Sequence, residues 1–357
     1  MSSDKPRTQN YSRRCMLSSW LCFIEHLLVE IICFTVVTHT LKLTLTQGAL
    51  IALLYDILAF YPQCFIGELH EKFKKVDFGS ISVGLMLIGL IIVDYSAFNI
   101  RTIIGIALIA LGNAFIHDCC AIQTTLLSNS KLFPSALFVG GGSFGVVIGQ
   151  YLGNLDDFNK YYLIIALVGI ELIILLTNKF WLYDNKSYPE FNLTKPESPI
   201  VLIIVAAFVV TLVRSFIGYA IPISWKKEEW QSFLLFFSMG CGKAFGGWLA
   251  DKIGAYKVGV ATTLLAIPFL VLGDSVMVVS IVGIFLFSMT MSITIGMFLS
   301  VIKNNPGFAF GLTTIALATG ALPVVIFGTF DKLLNIVLVV VLSLLCAWFL
   351  HKTLRRR

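Results

Sequence analysis

The chain has 357 residues, 57% of them hydrophobic and only 13% charged, with a formal net charge of +6 and a mean hydropathy of +0.89. A soluble domain is roughly a quarter charged, so this chain lacks the polar surface to cover itself in water, and lipid must be its solvent. In hydrocarbon every backbone N–H and C=O needs an internal partner, which leaves helices or a closed barrel. Apolar runs of about 18 to 22 residues without strand alternation select helices.

In chain order, the first residues are polar and basic (Lys5, Arg7, Arg13, Arg14) and lead into a span interrupted by Glu25, His26 and Glu30. The core of that span is not cleanly apolar and no small-residue cleavage site follows. It therefore does not read as a secretion signal, and residues 1–19 are expected to be a cytosolic tail. Twelve spans are expected at roughly 20–39, 47–66, 78–95, 102–121, 134–153, 160–178, 199–221, 230–250, 257–273, 277–300, 306–328 and 333–350. The polar stretch 179–198, with Pro189 and Pro196, is the natural linker between a six-helix half at 20–178 and a second at 199–350. A basic tail, 351–357, closes the chain. With the N-terminus inside, about 18 Lys and Arg fall in cytosolic segments and about 6 in external loops, which places both termini in the cytosol by the positive-inside rule. The expected location is the plasma membrane.

Eight cysteines lie mostly within apolar runs, which is not the loop pattern of a disulfide framework. No G-x-x-x-x-G-K-[ST] loop occurs, which argues against a primary pump. Nothing in the chain points to nucleic acid, to a cofactor or to an enzyme's nucleophile–base pair.

A repeat organises the spans. Gly247-Trp248-Leu249-Ala250-Asp251-Lys252-Ile253-Gly254 forms a tight charged turn between two spans, and Gly67-Glu68-Leu69-His70-Glu71-Lys72 repeats it about 180 residues earlier. Gly105-Ile-Ala-Leu matches Gly283-Ile-Phe-Leu, and Pro134 opens its span as Pro306 opens another. The loop resembles the G-x-x-x-D-[RK]-x-G signature of the major facilitator superfamily, found between the second and third helices of each half. In the first copy Lys74 stands where that signature ends in Gly. The resemblance implies an all-α membrane protein of twelve helices in two pseudo-symmetric halves. These would rock about a site near the midplane, lined by spans 1, 4, 7 and 10. It also implies that Asp251 and Glu71 pair with a helix terminus of the opposite half when the cytosolic side is closed, biasing the equilibrium between states.

Ionisable residues inside spans carry the chemistry, because a charge at the bilayer centre costs roughly 2.5–3.5 kcal/mol even on lenient scales. Glu30 lies about 15 Å into its span and Asp56 about 14 Å into the next. His26 is one turn before Glu30 on the same face, and Asn113 and His117 share a face of the fourth span. Glu25, about 140° round from Glu30, is expected to snorkel, and Lys243 to reach the inner interface. Glu30, Asp56, His26 and His117 are the candidates for proton coupling. Asn113, Arg214 and Glu30 are the candidates for substrate binding. Gly141, Gly145, Gly149 and Gly153 form one helical ridge, suited either to tight packing or to a surface on which the halves slide. Cys22, His26 and Glu30 at four-residue spacing, and His117 and Cys120 at three, are compatible with soft-metal ligation. Cysteines scattered over apolar spans produce such pairs by chance, so no metal is assigned.

The sequence is thus expected to encode a proton-coupled secondary transporter of a small organic solute, anionic if Arg214 anchors it. The carboxylate-rich first half leaves open proton-exchange efflux of cationic drugs, and a receptor or sensor of the same fold is the alternative from another class. One chain supplies a complete two-half bundle, so a monomer is expected.

Overall fold

In the computed structural model, the described residues are 5–42, 45–157, 159–181, 188–328 and 330–355. Their regular structure is helical: α1 (Lys5–Leu41), α2 (Leu45–Phe60), α3 (Gln63–Lys72), α4 (Phe78–Ile92), α5 (Ile100–Leu126), α6 (Phe133–Asn154) and α7 (Lys160–Trp181) make the first half. The second half is α8 (Ile200–Ala220), α9 (Glu229–Ile253), α10 (Ala255–Leu272), α11 (Met277–Ser288), α12 (Met291–Val301), α13 (Pro306–Phe327) and α14 (Lys332–Thr353). Only Tyr61 and Pro62 separate α2 from α3, since Pro62 has no N–H to continue the ladder. The two together cross as one unit, Thr46–Lys72, and α11 with α12 cross as another, Met277–Val301. Eleven units are long and apolar enough to span a membrane among the described residues, and α4 is an apolar helix of 15 residues. The protein is a multi-pass membrane protein.

Lys5 to Leu41 is one 37-residue helix, so the polar N-terminal segment is helical and runs into the first apolar span, Arg13–Thr40. No Gly or Pro follows Pro6 to break it, and a proline in the first turn is tolerated. In the linker, residues 182–187 lie outside the described residues. Beyond them the chain is pinned to the C-terminal segment: Lys195 N donates to Thr353 O at 2.9 Å, and Arg355 N to Leu193 O at 2.8 Å.

Close helix approaches set the architecture. The ridge Gly141, Gly145, Gly149 and Gly153 lies against α1 of its own half, where added Cβ atoms would strike the backbone around Phe23, Leu27, Ile31 and Thr35. The ridge is therefore packing within one half, not a sliding surface between halves. The α6 glycine that faces the other half is Gly140, whose added Cβ would lie 3.0 Å from Gly240 O on α9. Large apolar side chains such as Val201 and Phe327 stay exposed, as a lipid-facing surface requires. Buried ionisable residues include Glu25, His26 and Glu30 on α1 and His117 and Asp118 on α5.

Candidate functional site

The α1–α5 seam brings together Glu30, His26, His117 and Asn113, all buried. Glu30 and His26 share a face of α1 one turn apart, and Asn113 and His117 do the same on α5, so two short polar stripes meet. Glu30 Oε1 is 3.2 Å from His117 Nε2 and 3.6 Å from His26 Nε2. The two Nε2 atoms are 2.6 Å apart. Each ring's other nitrogen faces a backbone carbonyl: His26 Nδ1 meets Phe138 O at 2.9 Å, and His117 Nδ1 meets Asn113 O at 3.0 Å. A carbonyl only accepts, so both Nδ1 atoms carry the proton, and both Nε2 atoms turn toward the carboxylate. Glu30 Oε2 is buried with no hydrogen-bond partner.

Asn113 extends the cluster. Its Nδ2 contacts Glu30 Oε1 at 3.5 Å and Cys33 Sγ at 3.4 Å, and donates to the Tyr55 hydroxyl. Asp56 is a different case. It is half-buried on the neighbouring position of α2, and Tyr55, not Asp56, reaches the cluster. Tyr55 and Cys33 are site residues that the sequence did not single out. Tyr55, adjacent to an intramembrane carboxylate, was the available signal.

Glu25 does not snorkel. It is buried, and its Oε2 takes the Cys120 S–H at 2.9 Å while Oε1 has no partner. The reason is the seam itself, since residue 25 of α1 faces Cys120 of α5. Lys243 turns toward the other half: half-buried and ten residues before the end of α9 at Ile253, about 15 Å along the helix, it donates to Ser143 Oγ on α6 at 2.8 Å. Arg214 is buried in α8, where its guanidinium meets the Met291 sulfur and its Nε has no partner. Among the described residues no ion pair joins Arg214 or Lys243 to a carboxylate.

At the end of the bundle that carries both termini, the halves are joined by the repeated loops. Asp251 Oδ1 accepts from Leu132 N at 2.8 Å and Oδ2 from Phe133 N at 2.9 Å, capping α6 across the interface. Gly247 lies against that same first turn of α6, and Gly254 ends α9 at φ +98°, a backbone that a side chain rarely adopts. Lys252 is exposed in the last turn of α9. In the first copy, Gly67 packs backbone to backbone on α13, and a Cβ added to Gly307 would lie 2.8 Å from Gly67 Cα. Glu71 does not cap α13. Its carboxylate takes the Tyr188 hydroxyl at 2.6 Å and pairs with Lys74 at 3.0 Å. The Lys74 ammonium also donates to the Tyr188 hydroxyl at 3.1 Å, and its bonds to Tyr188 and then to Glu71 hold it above its usual range. Lys72 is exposed. Glu68 reaches across instead, accepting from Asn305 Nδ2 at 2.9 Å, while Asn305 caps α13 through Phe308 N at 2.8 Å. The reason is angular: on α3 the face toward α13 carries Gly67 and Glu68, and Glu71 meets the returning linker.

The sequence matches no family model and no curated protein. Solved structures do match. The human organic anion transporter MFSD10 (TETRAN) aligns at 14% identity with a TM-score of 0.66, covering 95% of this chain and 99% of that one. The E. coli fucose:proton symporter FucP aligns at 14% identity with a TM-score of 0.60, over 94% of this chain and 98% of that one. FucP in the outward conformation aligns at 16% identity and a TM-score of 0.56, over 91% and 98%. At such identities the likeness speaks for the course of the backbone and not for the ligand.

Proposed function

We propose that this chain, which has the major facilitator fold, is a secondary transporter working by alternating access. In this reading it couples protons to a small organic solute that carries an anionic group. The observation that carries the reading is Glu30: a buried carboxylate with one free oxygen, facing two imidazole Nε2 atoms at 3.2 and 3.6 Å. Such a set accepts and gives up a proton without large motion, because the acceptors already converge. Arg214 supplies the anion-binding group. It is a buried guanidinium without a carboxylate partner, and leaving such a charge uncompensated costs several kcal/mol unless a ligand completes it. The halves, joined at the termini-bearing end through Asp251 and Glu68, match a state closed on that side. We place that side in the cytosol and the protein in the plasma membrane, as a monomer.

The first half also favours a second reading, proton-exchange efflux of cationic compounds. Half-buried Asp56 adds a carboxylate one helix away from Glu30. One experiment separates the two. The purified protein is reconstituted in liposomes with a pH-sensitive dye inside, and sugars, small carboxylates and organic cations are added in turn. Proton movement driven by an anionic solute, lost in Glu30→Gln and weakened in Arg214→Met, supports the leading reading. Movement driven only by cations, indifferent to Arg214→Met, transfers the assignment to efflux. Absence of proton movement with every class removes proton coupling.

A further inference from the structure

Two three-residue clusters on the α1–α5 seam have the composition and convergence of metal sites. His26, Glu30 and His117 each offer a ligand atom within 4.8 Å of the others, and Cys22, Glu25 and Cys120 do the same. All six residues are buried. The clusters use adjacent stretches of the same two helices and are stacked about one helical turn apart, roughly 5–7 Å at 1.5 Å per residue. The thiol cluster is the one nearer the termini-bearing end.

The histidine cluster is the more telling. With both Nδ1 protons committed to the Phe138 and Asn113 carbonyls, neutral His26 and His117 present two Nε2 lone pairs to each other at 2.6 Å. The Glu30 carboxylate approaches the same point. Three electron-rich atoms converging in a buried space are repulsive unless a positive charge lies among them. A proton is one such charge and a metal ion is the other. Holding the second ring nitrogen on a backbone carbonyl is the arrangement that orients ligating histidines. Two His and one Glu with an open position is a known zinc ligand set. The 3.2 and 3.6 Å nitrogen–oxygen separations are near the ~3.3 Å between ligands of a tetrahedral ion with bonds of about 2.0–2.1 Å. Only the two nitrogens must separate, by about 0.7 Å, to reach it. Glycine keeps the space open on the α6 side: a Cβ on Gly142 would lie 2.5 Å from His26 Cε1.

The thiol cluster repeats the pattern with softer ligands. Cys120 S–H donates to Glu25 Oε2 at 2.9 Å, and Glu25 Oε1 is buried with no partner. Imidazole with carboxylate, then thiolate with carboxylate, both suit borderline ions such as Zn²⁺ and Fe²⁺, and neither suits Mg²⁺ or Ca²⁺.

We infer that this seam binds a divalent transition-metal ion of the zinc class at two successive stations. His26, Glu30 and His117 form one, and Cys22, Glu25 and Cys120 form the other. The ion and the proton compete for the same Nε2 lone pairs at the first station. At the second, coordination releases the two thiol protons to solvent. This goes beyond the proton-coupled reading and does not depend on it.

The test titrates the purified full-length protein in detergent with Co²⁺, whose d–d absorption reports low coordination number and whose ultraviolet charge-transfer band reports sulfur ligands. The wild type should show intense d–d bands at about pH 8, and Zn²⁺ should displace them. His26→Gln with His117→Gln should weaken the nitrogen site at least tenfold and keep the sulfur band. Cys22→Ser with Cys120→Ser should do the reverse. Gly142→Ala should weaken the nitrogen site without removing a ligand. A wild type whose Co²⁺ spectrum is that of the hydrated ion overturns the inference, with no variant needed. So does equal affinity in the wild type and a doubly His-substituted protein that elutes and melts normally. Proton-coupled solute flux that persists in that event leaves the transport reading standing.

Discussion

Asp251→Ala is the perturbation that most directly questions the cross-half cap. In the structure this carboxylate holds two backbone N–H groups at the start of α6, at 2.8 and 2.9 Å, across the interface between halves. Hydrogen bonds to a charged group contribute about 1.5–3 kcal/mol when well buried, and a carboxylate at a helix N-terminus adds about 0.3–1 kcal/mol. Asp251 is exposed on its outer side, so solvent screens it, and the figure falls toward that of an ordinary cap, about 1–2 kcal/mol. The bonds exist only while α6 and α9 are together at this end, so their loss falls on the closed state alone. That converts to a shift of about five- to thirty-fold toward the state open at the termini-bearing end, since 1.4 kcal/mol is tenfold. Spin labels at Lys131→Cys and Lys257→Cys, with part-exposed Cys64, Cys119 and Cys241 replaced by Ser, report the separation by pulsed electron resonance. The longer-distance population should grow in Asp251→Ala. It should barely change in Glu71→Ala, whose carboxylate serves Tyr188 and Lys74. An unchanged distance distribution in Asp251→Ala, or an equal change in Glu71→Ala, refutes the assignment of the gate to Asp251.

Three further outcomes are expected. Gly307→Ala places a Cβ 2.6 Å from Asp118 Oδ1 and 2.8 Å from Gly67 Cα, so α3 and α13 must part; the same label pair should report opening. Gly145→Leu drives a side chain into α1 beside the Glu30 Cβ, 2.6 Å away, and overpacking of this kind costs about 1–3 kcal/mol; a thermal scan should show a lowered melting temperature. The Asp274 carboxyl is held below the usual range, chiefly by Lys332 at 3.0 Å. Its folded-state pKa is depressed, so its stabilisation is complete above the ordinary carboxylate pKa of about 4 and is lost as pH falls below it. Melting curves of the wild type and Asp274→Asn should therefore separate near neutrality and converge in acid.

The spans were legible because a membrane-crossing helix is a local property of about twenty residues. The half repeat was legible because Gly247–Gly254 keeps its register in Gly67–Lys72. What failed were statements about which helix faces which. The place of Lys243 along its span is legible in the sequence, but not that Ser143 of α6 stands opposite to take its ammonium. Glu25 was expected in water because nothing in α1 tells that Cys120 of α5 sits opposite. The ridge from Gly141 to Gly153 announced close packing but not its partner. The metal spacing shows the same limit. Cys22, His26 and Glu30 read as one stripe along α1, yet α5 divides them, taking Cys22 with Glu25 against Cys120 and His26 with Glu30 against His117. The height of the facing helix is a tertiary fact, and no spacing within α1 encodes it.

The distribution of buried charge argues for a conditional mechanism over a static one. The first half buries Glu25, Glu30 and Asp118, while the second buries Arg214 and half-buries Lys243. If these charges served only to lock the halves together, cation and carboxylate would be paired, because breaking a buried pair by removing one partner costs about 3–5 kcal/mol. Among the described residues no carboxylate pairs with Arg214 or Lys243, and Glu30 and Asp118 meet histidines instead. Arg214 rests on a methionine sulfur, Lys243 on a serine hydroxyl, and Glu25 and Glu30 each keep a buried oxygen with no partner. Arg214, Lys243 and Glu25 are thus held in place by neutral neighbours that do not neutralise them. On the proposed reading the compensation comes from something that arrives: a proton or metal ion among the acceptors of the first half, an anionic group beside Arg214 in the second. A ligand set that fills both sides removes the penalty on both at once. That gives the halves a reason to close around it which they lack when it is absent.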